Sequence, residues 1–374
     1  MTPALRVGTI AVLLVGLVAA ACGGGTIVPS PSPNEPSPSA APTARATVAL
    51  PAPTVTPTPT PAPVYWPLTG VRAEDPAKVK RRPLNVRLPN DPAARPHVGL
   101  SKADIVFEMI VEGGITRHSA IYHSQDPKAV GPVRSYRFSD LHITQMLRGA
   151  LVASGATTEE RDAVTNSIRA GNMISVDAER KGGPYYRVQG RPGPNNLFVD
   201  LELARTAVNE AGGKDPVDVP PLRFFTSLEH DVTAGGFKAS TEASKVTIPI
   251  RDPVTYTYDE GSRGYRRAQA GTRTVDPDGN VAILARNVIV IHTDYWETSV
   301  IQDIFGSKGL DYRMTGGGKA TVFRDGRRAD GTWKREGVLD QFSFYDAGGE
   351  QILLDPGQTW VYFLLPTVVV SSEP

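Results

Sequence analysis

The chain has 374 residues, and its 40 basic and 39 acidic side chains leave a formal net charge of +1, which gives no electrostatic case for nucleic acid. Cys22 is the only cysteine, so the sequence allows no internal disulfide, no Cys-ligated zinc and, once that thiol is used elsewhere, no thiolate nucleophile. The length left after the N-terminal segments is a size at which chains usually split into two domains.

At the N-terminus Arg6 supplies a thin positive region, Val7 to Val18 are apolar, and Ala19-Ala20-Ala21 lead into Cys22. The apolar run is too short to span a bilayer comfortably, so it reads as a cleaved signal. The small residues before the thiol resemble a bacterial lipoprotein signal over residues 1–22, with Cys22 lipidated and left as the new N-terminus. Two fatty chains (palmitate-type) on Cys22 would anchor the protein stably where one binds weakly. Residues 23–64 follow as a tether. From Pro29 to Pro63 they carry twelve of the 33 prolines, mixed with Ser, Thr and Ala. Such a composition cannot bury a core and favours extended polyproline II. At about 3.1 Å per residue it reaches on the order of 100 Å.

Residues 65–214 alternate strand-like and helix-like stretches. Asp104–Glu112 and Ile115–Ser124 read as strands joined at Gly113-Gly114, a dipeptide suited to a two-residue hairpin. Phe138–Arg148, Thr158–Ala170 and Leu201–Glu210 read as helices, and Ala150–Ser154 and Met173–Val176 as strands. The proline-bearing residues 215–221 open an inter-domain linker, 215–243. Residues 244–366 then carry short β-rich runs between turn signals at Asp325-Gly326, Asp330-Gly331 and Gly348-Gly349. Residues 367–374 read as a frayed tail. The expected fold class is α+β: an N-terminal mixed α/β domain followed by a mostly antiparallel β domain.

GLSKADIVFEMIVEGGITR (Gly99 to Arg117), VGPVRSYRFSDL (Val130 to Leu141), GTWKRE (Gly331 to Glu336) and LDPGQTW (Leu354 to Trp360) resemble the YerB-type bacterial lipoprotein family. The resemblance covers nearly everything after the tether and implies architecture and location, without an activity. Where members of that family carry a histidine before the Ala-Gly of one strand, this chain has Ala153.

Two constellations stand out. A two-residue turn at Gly113-Gly114 would pair Ile110 with Arg117, putting Glu108, Ile110 and Glu112 on one face with Arg117 diagonal to both carboxylates. Such a cluster is either the polar floor of a site or a structural ion cluster. Four residues of strand hold Glu108 and Glu112 roughly 13 Å apart, too far for the about 5 to 9.5 Å of a glycosidase acid/base pair. The second constellation is Gly131 to Arg137, where Arg134, Ser135 and Arg137 lead into the helix at Phe138. A helix N-terminus and two guanidiniums suit a carboxylate or phosphate, with Asp140 placed to pair with and orient Arg137. The alternative is that the arginines only brace the loop.

The six histidines show no metal-ligand spacing, Asp276–Asn280 reads as a hairpin turn, and no cofactor motif occurs. The expected protein is therefore lipid-anchored on the outer, extracytoplasmic face of the cell membrane. It would bind an anionic envelope polymer or a partner protein, without nucleic acid, metal or cofactor. The alternative is an envelope hydrolase using a carboxylate such as Glu108 or Asp140, with the arginines holding an anionic substrate.

Overall fold

The structure is a computed structural model that describes residues 62–179 and 183–374. The signal segment, Cys22 and the tether as far as residue 61 lie outside the described residues. No described helix is long and apolar enough to cross a membrane.

The architecture is α+β. Strands β1 (Leu84–Pro89), β2 (Ile105–Ile110), β3 (Thr116–Tyr122), β4 (Ala150–Ala153) and β5 (Ile174–Asp177) alternate with helices α1 (Phe138–Met146), α2 (Thr158–Arg169) and α3 (Leu201–Glu210). The helices start where the sequence caps them. Asp200 accepts the amides of Glu202 and Leu203 at the start of α3, and Thr157 with Glu160 forms a reciprocal capping box at α2.

The later part of the chain is β: β6 (Lys245–Ile248), β7 (Val254–Asp259), β8 (Gly264–Gln269), β9 (Asn287–His292), β10 (Tyr295–Ile301), β11 (Lys308–Tyr312), β12 (Gly316–Arg324), β13 (Arg327–Arg335), β14 (Ser343–Asp346), β15 (Thr359–Leu364) and β16 (Ser371–Glu373). Its pairings are antiparallel except at β15, which runs parallel to β9 on one side and to β2 on the other. One large sheet therefore carries the order β14-β13-β12-β9-β15-β2-β3-β1-β4-β5. The run TWVYFL of β15 is buried throughout, as a central strand covered on both faces must be.

One face of this sheet packs Val106, Tyr122, Trp360 and Tyr362 against the second sheet (β8-β7-β6-β16) and α3. The other packs Phe107, Ile121, Val361 and Phe363 against α1, the 215–243 segment and β14. The segment 215–243 is no loose strap, since it buries Val219, Leu222 and Phe237 in that core.

Two local readings are corrected. The C-terminal tail is not frayed. Ser371–Glu373 pairs with β6 and Val370 is buried, because a β-branched run completes the edge of the second sheet. Asp330-Gly331 is no turn but mid-strand in β13. Glycine is needed there because an added Cβ would lie 1.9 Å from the Tyr345 carbonyl oxygen. Asp325-Gly326, with both residues at positive φ, does turn the β12–β13 hairpin.

Candidate functional site

The Gly113-Gly114 connection is longer than a two-residue turn. The Val111 amide donates to the Ile115 carbonyl, so Glu112, Gly113 and Gly114 form a three-residue loop with both glycines at positive φ. Met109, not Ile110, therefore faces Arg117, and Glu108 faces His118. A one-residue shift sends each side chain to the opposite face of a strand. Glu108 and Arg117, expected on one face, lie on opposite faces.

On the α1 face the cluster is built from β1, β3 and the helix start. Glu112 accepts from Arg117 Nη2 (2.8 Å), from Arg137 Nε (3.0 Å) and from Arg137 Nη2. Burial alone would raise the Glu112 carboxyl. The two guanidiniums outweigh it and hold the pKa down at about 2. Arg117 also donates to the Ser135 carbonyl.

Asp140 does not orient the Arg137 side chain. Its Oδ2 caps α1 by accepting the Arg137 amide (2.7 Å) and meets Arg87 Nε at 3.1 Å, while Oδ1 accepts from Ser119 Oγ (2.5 Å). The helix N-terminus is thus occupied by the chain's own carboxylate rather than open to an anion. Arg87, buried completely, gave no sequence signal, because an arginine in a β-strand reads as a surface residue.

Arg134 is the exception. No side-chain hydrogen bond or ion pair reaches it among the described residues, and the charges that act on it most are Asp91, Arg137 and Glu112. With Ser135, Ser154, Glu179 and Arg187 it lines a hollow of about 230 Å³ beyond the carboxyl end of β4. Open sheets hold ligands at that end of their parallel strands. The structure thus joins Glu112, Arg117 and Arg137 in one ion cluster, sets Asp140 beside it, leaves Arg134 and Ser135 at a separate hollow, and puts Glu108 across the sheet.

On that opposite face Glu108 is buried and held by Arg267 Nη2 (2.8 Å), Asn90 Nδ2 (2.9 Å) and Thr116 Oγ1 (2.7 Å), with His118 at 3.5 Å. Burial opposes ionisation here too, yet Arg267 and His118 pull the carboxyl well below the usual range.

The model of the N-terminal domain of a protein of unknown function (DUF3048) matches residues 68–214, and that of its C-terminal domain matches residues 245–361. The chain belongs to the DUF3048 family. The Bacillus subtilis (strain 168) protein YerB, named as a lipoprotein, is 29% identical over 296 residues, which are 79% of this chain and 84% of YerB. The crystal structure of YerB from Bacillus subtilis matches at a TM-score of 0.69 with 26% identity, covering 83% of this chain and 100% of that one.

Two further features of this DUF3048 chain escaped the sequence reading. His230, Asp325 and Asp355 converge from far apart in the chain, with His230 Nε2 at 2.7 Å from Asp355 Oδ1. Burial and Asp325 push the Asp355 pKa up to about 6. Arg263 and Arg324 already sit on the two Asp325 oxygens at 2.7 and 3.0 Å, so the group is a crowded ion network rather than an open cation site.

The second feature is the β10–β11 hairpin, which pairs only with itself and is pinned by Tyr312 Oη donating to the Ile110 carbonyl and by Gln302 donating to Glu160. Its tip presents Ile304 and Phe305, 95% and 87% exposed, with Trp296 and Ile301 about half-exposed behind them.

Proposed function

We propose that the chain is a lipoprotein, anchored through Cys22 to the extracytoplasmic face of the membrane, whose folded part binds an anionic envelope component without catalysing its turnover. The name of YerB supports the anchor, together with the signal-like residues ahead of Cys22. The observation that carries the binding reading is the contrast between Arg134 and its neighbours. Of the carboxylates a hydrolase would use, Glu108 and Glu112 are bonded to buried arginines that lower their pKa values, so neither is poised to give up a proton, and Asp140 is bonded to Arg87 and to the Arg137 amide. Arg134 alone of the predicted arginines faces a hollow without a carboxylate bonded to it. Glu179, which shares that lining, is bonded to Arg161 rather than to Arg134.

Replacing Arg134 with Lys keeps the charge and removes the planar fork. Co-sedimentation of the solubilised protein with purified cell walls should weaken by roughly 1 to 3 kcal/mol, with the unfolding midpoint nearly unchanged. Wild-type sedimentation by the variant would move the site elsewhere. Loss of folding with binding intact in the folded fraction would make Arg134 structural.

A second reading, a protein partner, is favoured by the hairpin. An exposed Ile-Phe tip held by a pinned arm is an unusual surface for a soluble face and a usual one for a contact. Phe305→Asp should remove partner adducts in cross-linking of intact cells while shifting stability by no more than about 0.5 kcal/mol. An unchanged adduct pattern would reject that reading.

A further inference from the structure

A cavity of about 570 Å³ opens between the two family domains, and its lining shares no residue with the Arg134 hollow. Asn90, Arg95 and His97 line it from the loop after β1, and Arg267, Gln269 and Arg273 from β8 and the turn beyond. No aspartate or glutamate is in the lining, and prolines of both loops supply apolar walls. The volume fits a ligand of one or two sugar rings, within the usual range of about 300 to 1,000 Å³ for small-molecule sites.

Arg267 is the built element. Its Nη1 donates to Thr274 Oγ1 (2.9 Å), and its Nη2 to Glu108 Oε2 (2.8 Å) and Gln269 Oε1 (3.1 Å). The guanidinium also stacks over the Trp360 ring at 4.5 Å. These contacts lock the fork in one orientation at no further entropic cost on binding. Its Nε–H nevertheless has no acceptor among the described residues, although the side chain is only 1% exposed.

Arg95 is bonded to Asp252, which stands outside the lining. Arg273 is exposed, and its side chain has no carboxylate or hydrogen-bond partner among the described residues, so it is free to meet an oxyanion. His97 Nε2 lies 2.5 Å from the Pro89 carbonyl, and burial pushes its pKa down, so it contributes a fixed neutral ring.

We propose that this cavity is a second ligand site, distinct from the Arg134 hollow, that takes a sugar or polyol bearing a phosphate or carboxylate group. Arg273 receives the oxyanion, the Arg267 charge stands in the wall behind it, and Asn90, Gln269 and the proline walls receive the ring. The same oxyanion occurs on a free sugar phosphate and on the end unit of an anionic glycan.

The test is calorimetric titration of the detergent-solubilised full chain with glucose 6-phosphate, glucuronate and glucose. Saturable binding of at least one of the two anions, and none of glucose, is expected. Arg273→Gln should weaken anion binding roughly ten-fold or more at an unchanged unfolding midpoint. Competition by poly(glycerol phosphate) would assign the polymer end as the source, and its failure to compete would assign the free small molecule; either upholds the site. Equal binding of glucose and glucose 6-phosphate, no saturable binding of either anion, or an Arg273→Gln chain that binds like the wild type would overturn it.

Discussion

Glu108→Ala should lower the stability of the folded part by about 3 to 5 kcal/mol, because it strips the only carboxylate bonded to the buried Arg267 among the described residues. Asn90 and Thr116 lose an acceptor in the same step. That is a large share of the roughly 5 to 15 kcal/mol that holds a typical domain together, and in a chain of this size it corresponds to a fall in melting temperature on the order of 10 °C. Replacing the pair together, Glu108→Leu with Arg267→Met, should recover much of the loss, since the cost lies in the stranded charge rather than in the missing contact.

The acid side of the stability curve carries the same signature. Glu108 and Glu112 both have pKa values below those of the unfolded chain, Glu112 at about 2. As pH falls, the unfolded chain takes up protons first, near pH 4.3, so the stabilisation is complete above about pH 5 and drains between about pH 5 and 2. Glu112→Gln should flatten that part of the curve. Chemical denaturation at stepped pH checks both points. A Glu108→Ala protein as stable as the wild type would show that the buried pair contributes nothing.

Cys22→Ala should move the protein almost wholly from the membrane fraction to the medium, or leave it as an uncleaved precursor at higher mass. The chain offers no second thiol for acylation, and no described helix could substitute as a membrane span. Two acyl chains hold a protein at a bilayer stably, and none leaves only a weak surface association. Fractionation with a clickable fatty-acid label reads the result. Equal attachment and no label in wild type and variant alike would end the lipoprotein reading.

Among the described residues, the sequence by itself determined much of what depends on neighbours along the chain. The α3 boundaries follow from Asp200 at one end and the glycines after Glu210 at the other. The strand runs of the later half, and the family motifs with them, are equally local.

What only the tertiary structure decided depends on loop length and on partners distant in the chain. One additional loop residue at Gly113-Gly114 moved Glu108 to the opposite face from Arg117, because side chains along a strand alternate with a period of two. Glu108 then found Arg267, 159 residues away, and Arg87 found Asp140 across the helix start. Asp140 took a backbone amide instead of the Arg137 side chain because that donor stood unsatisfied at the end of α1. The cavity between the family domains exists only once β15 has inserted between β9 and β2 and drawn the two halves together. Local propensity carries no term for that pairing. It is set by which faces can be buried when the whole chain closes.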